Sequence, residues 1–337
     1  MTDKKIQNKK PNQLFSVVLG FLLTAAVMAG LIILIRICNA SVIFYDSEGK
    51  VIQKPEGRTC EAPNLKNTEG FTFLGWSRQP GTETKPEFQV GDQVHVWQTT
   101  RLYPVMFDWE KEVDITLEEL PEPNGEKYSR VIFVGDSRYV KMRKTFYKQG
   151  MMSKLDRVSF VCKSGRGLDW FRQEGIHELM REIHNAELTS EKPVAIVFNL
   201  GINDLRHALD KSRQYEIETP DCREVSNSYI SYMNELSEAL ADFNCRFFYM
   251  TVNPLNSRMT EGGRVFRKEE DVRQFNQYMK EGLNDRYGYI DTCAFLAQTG
   301  YSTNDDVGKR KDDGIHYSMR TYKRIYSYAM MCINMAK

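Results

Sequence analysis

The stretch Val131-Ile-Phe-Val-Gly-Asp-Ser137 decides how this chain reads. Four apolar residues run straight into Gly-Asp-Ser, the pattern of a buried strand whose end presents a hydroxyl. A serine is a weak nucleophile at neutral pH, so it needs a base within hydrogen-bond reach, a group that orients the base, and donors for the oxyanion that forms. Three later stretches offer these groups: Ser164-Gly-Arg-Gly167, Gly201-Ile-Asn-Asp204 and Asp313-Gly-Ile-His316. Each lies just past an apolar run or just before a helix-like segment, where an open α/β sheet collects its ligands.

Every one of these residues also has a plainer use. Ser137 opens a strand-to-helix turn, where free backbone N–H groups favour negative charge, yet Asp136 and Ser137 are both good helix caps. Gly165 and Gly167 can serve a turn or bring a backbone N–H close to a substrate carbonyl. Asn203 can donate to an oxyanion without titrating or close an Asx turn, and Asp204 reads as a cap or loop anchor. His316 is the histidine, of five, that lies in a loop before a C-terminal helix with an aspartate three residues upstream. That spacing lets Asp313 accept from Nδ1–H while Nε2 faces Ser137; Asp312 would fill the role in a looser reading. His177 and His184 fall on the surface of an amphipathic helix, His95 in an alternating strand, and His207 close enough after Asn203 to line a cleft.

Taken in order, Gly-Asp-Ser, the glycine block, Gly-x-Asn-Asp and Asp-Gly-x-His resemble the SGNH, or GDSL, hydrolase superfamily from about Lys127 onward. The resemblance implies a three-layer α/β/α, flavodoxin-like domain with a parallel sheet. It implies Ser137, Asp313 and His316 as catalytic residues, and an oxyanion hole from Ser137, Gly167 and Asn203. Gly167 matches the family glycine by its distance from the strand, with Gly165 still open. The implied substrate is an ester, and no metal or cofactor enters the expectation.

Bulk properties agree with a folded enzyme. A chain of 337 residues with 41% hydrophobic content can bury one large core or two. Its 46 lysines and arginines against 45 acidic residues give no general attraction to nucleic acid. Seven cysteines show no C-x-x-C and no metal-like spacing, which argues against a zinc site and for mostly buried thiols.

Before the catalytic stretches the chain reads as a series of segments. Residues 1–13 form a basic tail, and 14–36 an apolar segment without charge until Arg36. As a helix, Leu14 to Ile35 would span about 33 Å, enough to cross the hydrocarbon core. Lys4, Lys5, Lys9 and Lys10 would keep the N-terminus cytoplasmic and place the rest outside, and the length favours an uncleaved anchor over a signal peptide. Residues 41–107 alternate in short β-like runs and include Gly70-Phe-Thr-Phe-Leu-Gly-Trp76 and Thr100-Arg-Leu-Tyr103. They resemble the internalin-type B repeat (Listeria-Bacteroides repeat), which implies a β-grasp-like module acting as a spacer or meeting a cell-wall partner. The acidic, proline-containing 108–126 reads as a linker, and 127–337 as the hydrolase domain, where strand-like and helix-like runs alternate.

The expectation is a single-pass membrane protein whose extracellular serine esterase removes acetyl or other small acyl groups from carbohydrate. An O-acyltransferase would use the same residues with a dry acceptor pocket. The charged inserts Arg206-Arg223 and Asn256-Asp271 suit a wet rim better. A non-catalytic adhesin has no need of all four site residues.

Overall fold

Beyond residue 129 the apolar runs become a five-stranded parallel sheet. The strands run β14 (Tyr287–Ile290), β12 (Cys245–Met250), β9 (Val194–Asn199), β7 (Arg130–Gly135) and β8 (Val158–Cys162) across it. Register is continuous through the centre: Val131 pairs with Ala195 and with Val158, and Phe247 with Ile196. The computed structural model describes residues 13–81, 85–188, 190–210, 215–218, 220–256, 265–308 and 312–336.

Alternation along each strand explains why all of it is apolar. Val131, Phe133, Ala195, Val197, Phe248 and Met250 point into one core; Ile132, Val134, Ile196, Phe198, Phe247 and Tyr249 point into the other. Both faces are therefore covered, as parallel sheets require. Helices α2 (Ser137–Lys148) and α8 (Met319–Met335) pack into the first core, and α4 (Ile176–Glu187), α5 (Cys222–Ala239) and α6 (Glu269–Gly282) into the second. This is the expected α/β/α arrangement. The short helix α7 (Thr292–Thr299) was not anticipated. Nor was a small antiparallel sheet in which β10 (His207–Asp210) pairs with β11 (Tyr215–Glu218) and with β13 (Val265–Phe266). The two charged inserts thus meet each other, with 211–214, 219 and 257–264 outside the described residues.

Contacts divide the chain into two compact units, Met1–Glu61 with Gln93–Tyr103 and Ala62–Asp92 with Pro104–Lys337. In the first, helix α1 (Gln13–Cys38) contains Val18–Cys38, whose mean hydropathy of 2.8 and lack of burial make it long and apolar enough to cross a membrane. Strand β1 (Val42–Tyr45) there pairs with β2 (Val51–Gln53) antiparallel and with the start of β6 (Thr100–Asp108) parallel, while β3 (Thr59–Glu61) pairs with β5 (Gln93–His95).

The stretch 41–107, expected as one module, is therefore divided. Residues 62–92 belong with the second unit because buried polar groups tie them there. The Asn67 amide donates to Thr303 Oγ1 at 2.9 Å and to Asp312 Oδ2 at 3.0 Å, and its oxygen accepts from Asn256 at 2.6 Å. The expected linker 108–126 is not loose either. Glu112 is buried and accepts from Ser318 Oγ at 2.7 Å, from Arg324 Nη1 at 3.0 Å and from the Thr321 hydroxyl, while Leu120 joins the first core. An acidic, proline-rich composition hid these anchors.

All seven cysteines are free thiols. Burial pushes Cys162 and Cys222 up to about 11 and Cys245 to about 12, so they are packing residues and not thiolate nucleophiles.

Candidate active site

Strand β7 ends at Gly135 and α2 begins at Ser137, with Asp136 between them as the helix cap. The Asp136 carboxylate accepts from the Arg138 N–H at 2.9 Å. Because Asp136 takes the capping role, the Ser137 hydroxyl is left for another partner. That partner is His316, whose Nε2 lies 2.9 Å from Ser137 Oγ.

On its other edge, His316 Nδ1 lies 2.8 Å from Asp313 Oδ2. Asp313 Oδ1 accepts from the backbone N–H of His316 at 2.8 Å and of Ile315 at 3.0 Å. Burial alone would raise this carboxyl, but the imidazole and the two amides outweigh it and hold Asp313 down at about 2. A permanently charged Asp313 fixes the tautomer with the proton on Nδ1 and leaves Nε2 to accept from Ser137. The neighbouring Asp312 is used structurally: it accepts from Gly314 N–H at 2.9 Å and from Asn67.

Ser137, Ser164, Gly165, Asn203, Arg267, Asp313 and His316 line one cleft of about 450 Å³. Gly165 sits there with φ at +69°, a conformation that side chains disfavour. Gly167 does not share the cleft; it lies beside Asp204, where any Cβ would overlap the carboxylate. Asp204 accepts from Tyr229 OH at 2.6 Å and from the Leu168 backbone, so it anchors the glycine loop, and Gly167 is glycine to admit it. Of the two glycines left open by the sequence, Gly165 lines the cleft together with Ser137. The Asn203 amide donates to the Arg166 carbonyl at 2.9 Å, while its oxygen accepts from Arg267 Nη2 at 2.8 Å.

Four further residues shape the cleft without having been singled out from the sequence. Arg138 is 1% exposed, and its guanidinium donates to the carbonyls of Ile315 at 3.1 Å and Asn253 at 2.9 Å. It binds the Ser137 turn to the loop carrying His316. Arg267 reaches in from the second charged insert; burial and the Arg138 charge draw its guanidinium down to about 10, still protonated at neutral pH. Lys141, one turn beyond Ser137, pairs with buried Asp305 at 2.6 Å. Ligand atoms of Asp305, Asp313 and His316 lie within 4.8 Å of one another. These donors are committed elsewhere, Asp305 to Lys141 and the other two to each other. The sequence signal for Arg138 and Lys141 was their position at i+1 and i+4 of Ser137 in α2; Arg267 was read only as part of a charged rim.

The remaining histidines lie outside the cleft. His207 is buried, stacks on Phe266 and lies 2.5 Å from Asp271, so it holds the insert sheet to α6 and does not line the cleft. His95, His177 and His184 are exposed.

The profile of the GDSL-like lipase/acylhydrolase family matches residues 133–329, well over half of the chain. The chain belongs to that family. It is accordingly an ester-bond hydrolase of the GDSL type, and the matched region contains the whole Ser137–His316–Asp313 chain of hydrogen bonds. No protein of curated function matches the sequence. Among solved structures, an acylhydrolase-like protein of Bacteroides fragilis aligns at 15% identity and a TM-score of 0.39, over 65% of this chain and 92% of its own. A GDSL-like lipase of Bacteroides thetaiotaomicron aligns at 14% identity and a TM-score of 0.36, over 64% of this chain and 91% of its own. The catalytic domain of peptidoglycan O-acetyltransferase A from Streptococcus pneumoniae aligns at 10% identity and a TM-score of 0.35, over 61% and 91%.

Proposed function

We propose that this GDSL hydrolase is a membrane-anchored serine esterase that removes acetyl or other small acyl groups from carbohydrate outside the cytoplasm. The observation that carries the reading is the unbroken chain from Ser137 Oγ through His316 to Asp313. In the forward step Ser137 Oγ bonds to the ester carbonyl carbon while its proton passes to His316 Nε2. The oxyanion is held by the N–H groups of Ser137 and Gly165 and by the Asn203 amide. As the tetrahedral intermediate collapses, the bond from the acyl carbon to the sugar oxygen breaks and His316 Nε2 gives its proton to that oxygen, releasing the sugar as a hydroxyl. A water, deprotonated by the same Nε2, attacks the acyl-serine, and acetate leaves with Ser137 restored.

The location rests on α1: its apolar length supports an anchor, and the lysines before it support a cytoplasmic N-terminus. Residues 41–61 and 93–103 then serve as a spacer on the outer face. Protease added to intact cells should release the region after Arg36; full protection would reverse the topology. The reaction is tested with full-length protein in detergent, given an acetylated sugar and a large excess of free oligosaccharide. Free acetate as the main product supports hydrolysis, and acetylated oligosaccharide as the main product would make the protein an acyltransferase with the same catalytic residues.

A further inference from the structure

A second cavity, of about 890 Å³, lies within the same unit, with Asp312 of the His316 loop in its lining. Two pairs of consecutive residues form the wall it shares with the catalytic cleft. Asn304 and Asp312 line the cavity, while Asp305 and Asp313 line the cleft. The two spaces are thus neighbours across these two backbone steps.

The lining has a definite chemistry. Trp109 contributes an aromatic surface whose direction is fixed, because its Nε1 donates to Thr72 Oγ1 at 2.8 Å and its ring packs against the first core. Asn67 is fully engaged, its N–H groups donating to Thr303 and Asp312 and its oxygen accepting from Phe73 and Asn256, so its part is to fix the Asp312 carboxylate, which keeps lone pairs for a ligand. Lys66 and Arg320 share the lining with Glu69, Glu110 and Asp312, so cations do not outnumber carboxylates and a polyanion gains nothing there. A rigid indole beside the fixed Asp312 carboxylate and the Lys66 and Arg320 side chains suits a ligand with an apolar face and a polar edge. A neutral pyranose ring has both.

We propose that this cavity is a glycan subsite, holding an uncharged sugar unit of the same chain whose acylated unit occupies the Ser137 cleft. The inference rests on the esterase reading above and narrows its substrate to an oligomer or polymer. Held at both places, the chain is positioned before reaction, and the Asn67–Asp312 bond joins the subsite directly to the loop that carries Asp313 and His316.

The test compares full-length wild type, Trp109→Ala and Thr68→Trp on two kinds of substrate. Thr68 is an exposed lining residue, so the added indole fills the cavity without disturbing the core. One substrate is p-nitrophenyl acetate, which is too small to reach the cavity. The others are O-acetylated xylo-, manno- and gluco-oligosaccharides. Both variants should lose about ten-fold or more in kcat/KM, chiefly through KM, on the oligosaccharide that wild type uses best. Both should stay within about two-fold of wild type on p-nitrophenyl acetate. Unchanged oligosaccharide kinetics in Thr68→Trp would overturn the subsite while leaving the esterase intact, and so would equal losses on both substrates. Failure of the esterase reading shows differently, as no Ser137-dependent turnover of p-nitrophenyl acetate by wild type, and it removes the subsite with it.

Discussion

Arg267 Nη2 donates to Asn203 Oδ1 at 2.8 Å while Arg267 Nε donates to the Ile202 carbonyl at 2.6 Å. One fork therefore grips both the side chain and the preceding backbone of the asparagine beside Ser137. With Oδ1 held by Arg267 and one N–H donated to the Arg166 carbonyl, the second N–H is left to donate, and the charged donor on Oδ1 polarises it further. Asn203→Ala should lower kcat by about 100-fold or more with little change in KM, as expected of a donor used in the transition state. Arg267→Met should lower kcat by roughly ten-fold, and Arg267→Lys should recover only part of it, because an ammonium cannot make the two-pronged contact. Steady-state kinetics on p-nitrophenyl acetate decide it; a pure KM effect would reduce Arg267 to a substrate contact.

Arg138 bears on stability as well as on the site. It is buried, and its guanidinium is satisfied by the carbonyls of Ile315 and Asn253, with Tyr317 against its face. Arg138→Met leaves those carbonyls without donors and should cost on the order of 3 kcal/mol. Denaturant unfolding measures the loss. At temperatures where the variant is still folded, Ser137 should react more slowly with an acylating probe, since the turn and the His316 loop are no longer clamped together.

Asp313 sets an acid limit whose sign is fixed by its low pKa. A carboxyl held at about 2 when folded contributes stability that is present above the ordinary aspartate range and lost as pH falls toward 2. A depression of that size is worth roughly 2 kcal/mol at neutral pH. Thermal unfolding of wild type should therefore drop more steeply between about pH 4 and pH 2 than that of Asp313→Asn. At neutral pH the same variant should lose up to about 10,000-fold in kcat, since the amide can hold the imidazole in the wrong tautomer.

Most of the sheet and the catalytic chain could be read from the sequence because both rest on local patterns. Strands such as Val158–Cys162 and Tyr287–Ile290 are apolar on both faces, and Asp313 and His316 are brought together by a three-residue loop. What escaped depends on distant partners. The need for glycine at Gly167 is set by Asp204, which Tyr229, 62 residues from Gly167 in sequence, holds against that loop. Glu112 looked like part of a solvated acidic linker, and only the fold reveals Arg324, 212 residues on, as its partner. The same holds for Asn67, whose bonds to Thr303 and Asp312 assign 62–92 to the catalytic unit.

The anchoring of 108–126 can be checked through Glu112. Burial raises its carboxyl, while the Thr321 and Ser318 hydroxyls and the Arg324 charge oppose the rise. Glu112→Ala would strand Arg324 in the core and should destabilise the protein by roughly 3 kcal/mol. Limited proteolysis should leave 108–126 intact in wild type and cut it readily in the variant. Easy cleavage in both would restore the linker reading.

The central claim is that Ser137 is the nucleophile and His316 its base, and labelling with a fluorophosphonate tests it most directly. Full-length protein in detergent is treated with the probe, digested, and the modified peptide identified by mass spectrometry. The account predicts a single adduct on Ser137, none in Ser137→Ala, and labelling slowed by at least about 100-fold in His316→Ala. Modification at another serine, or no modification of a protein shown to be folded, would contradict it.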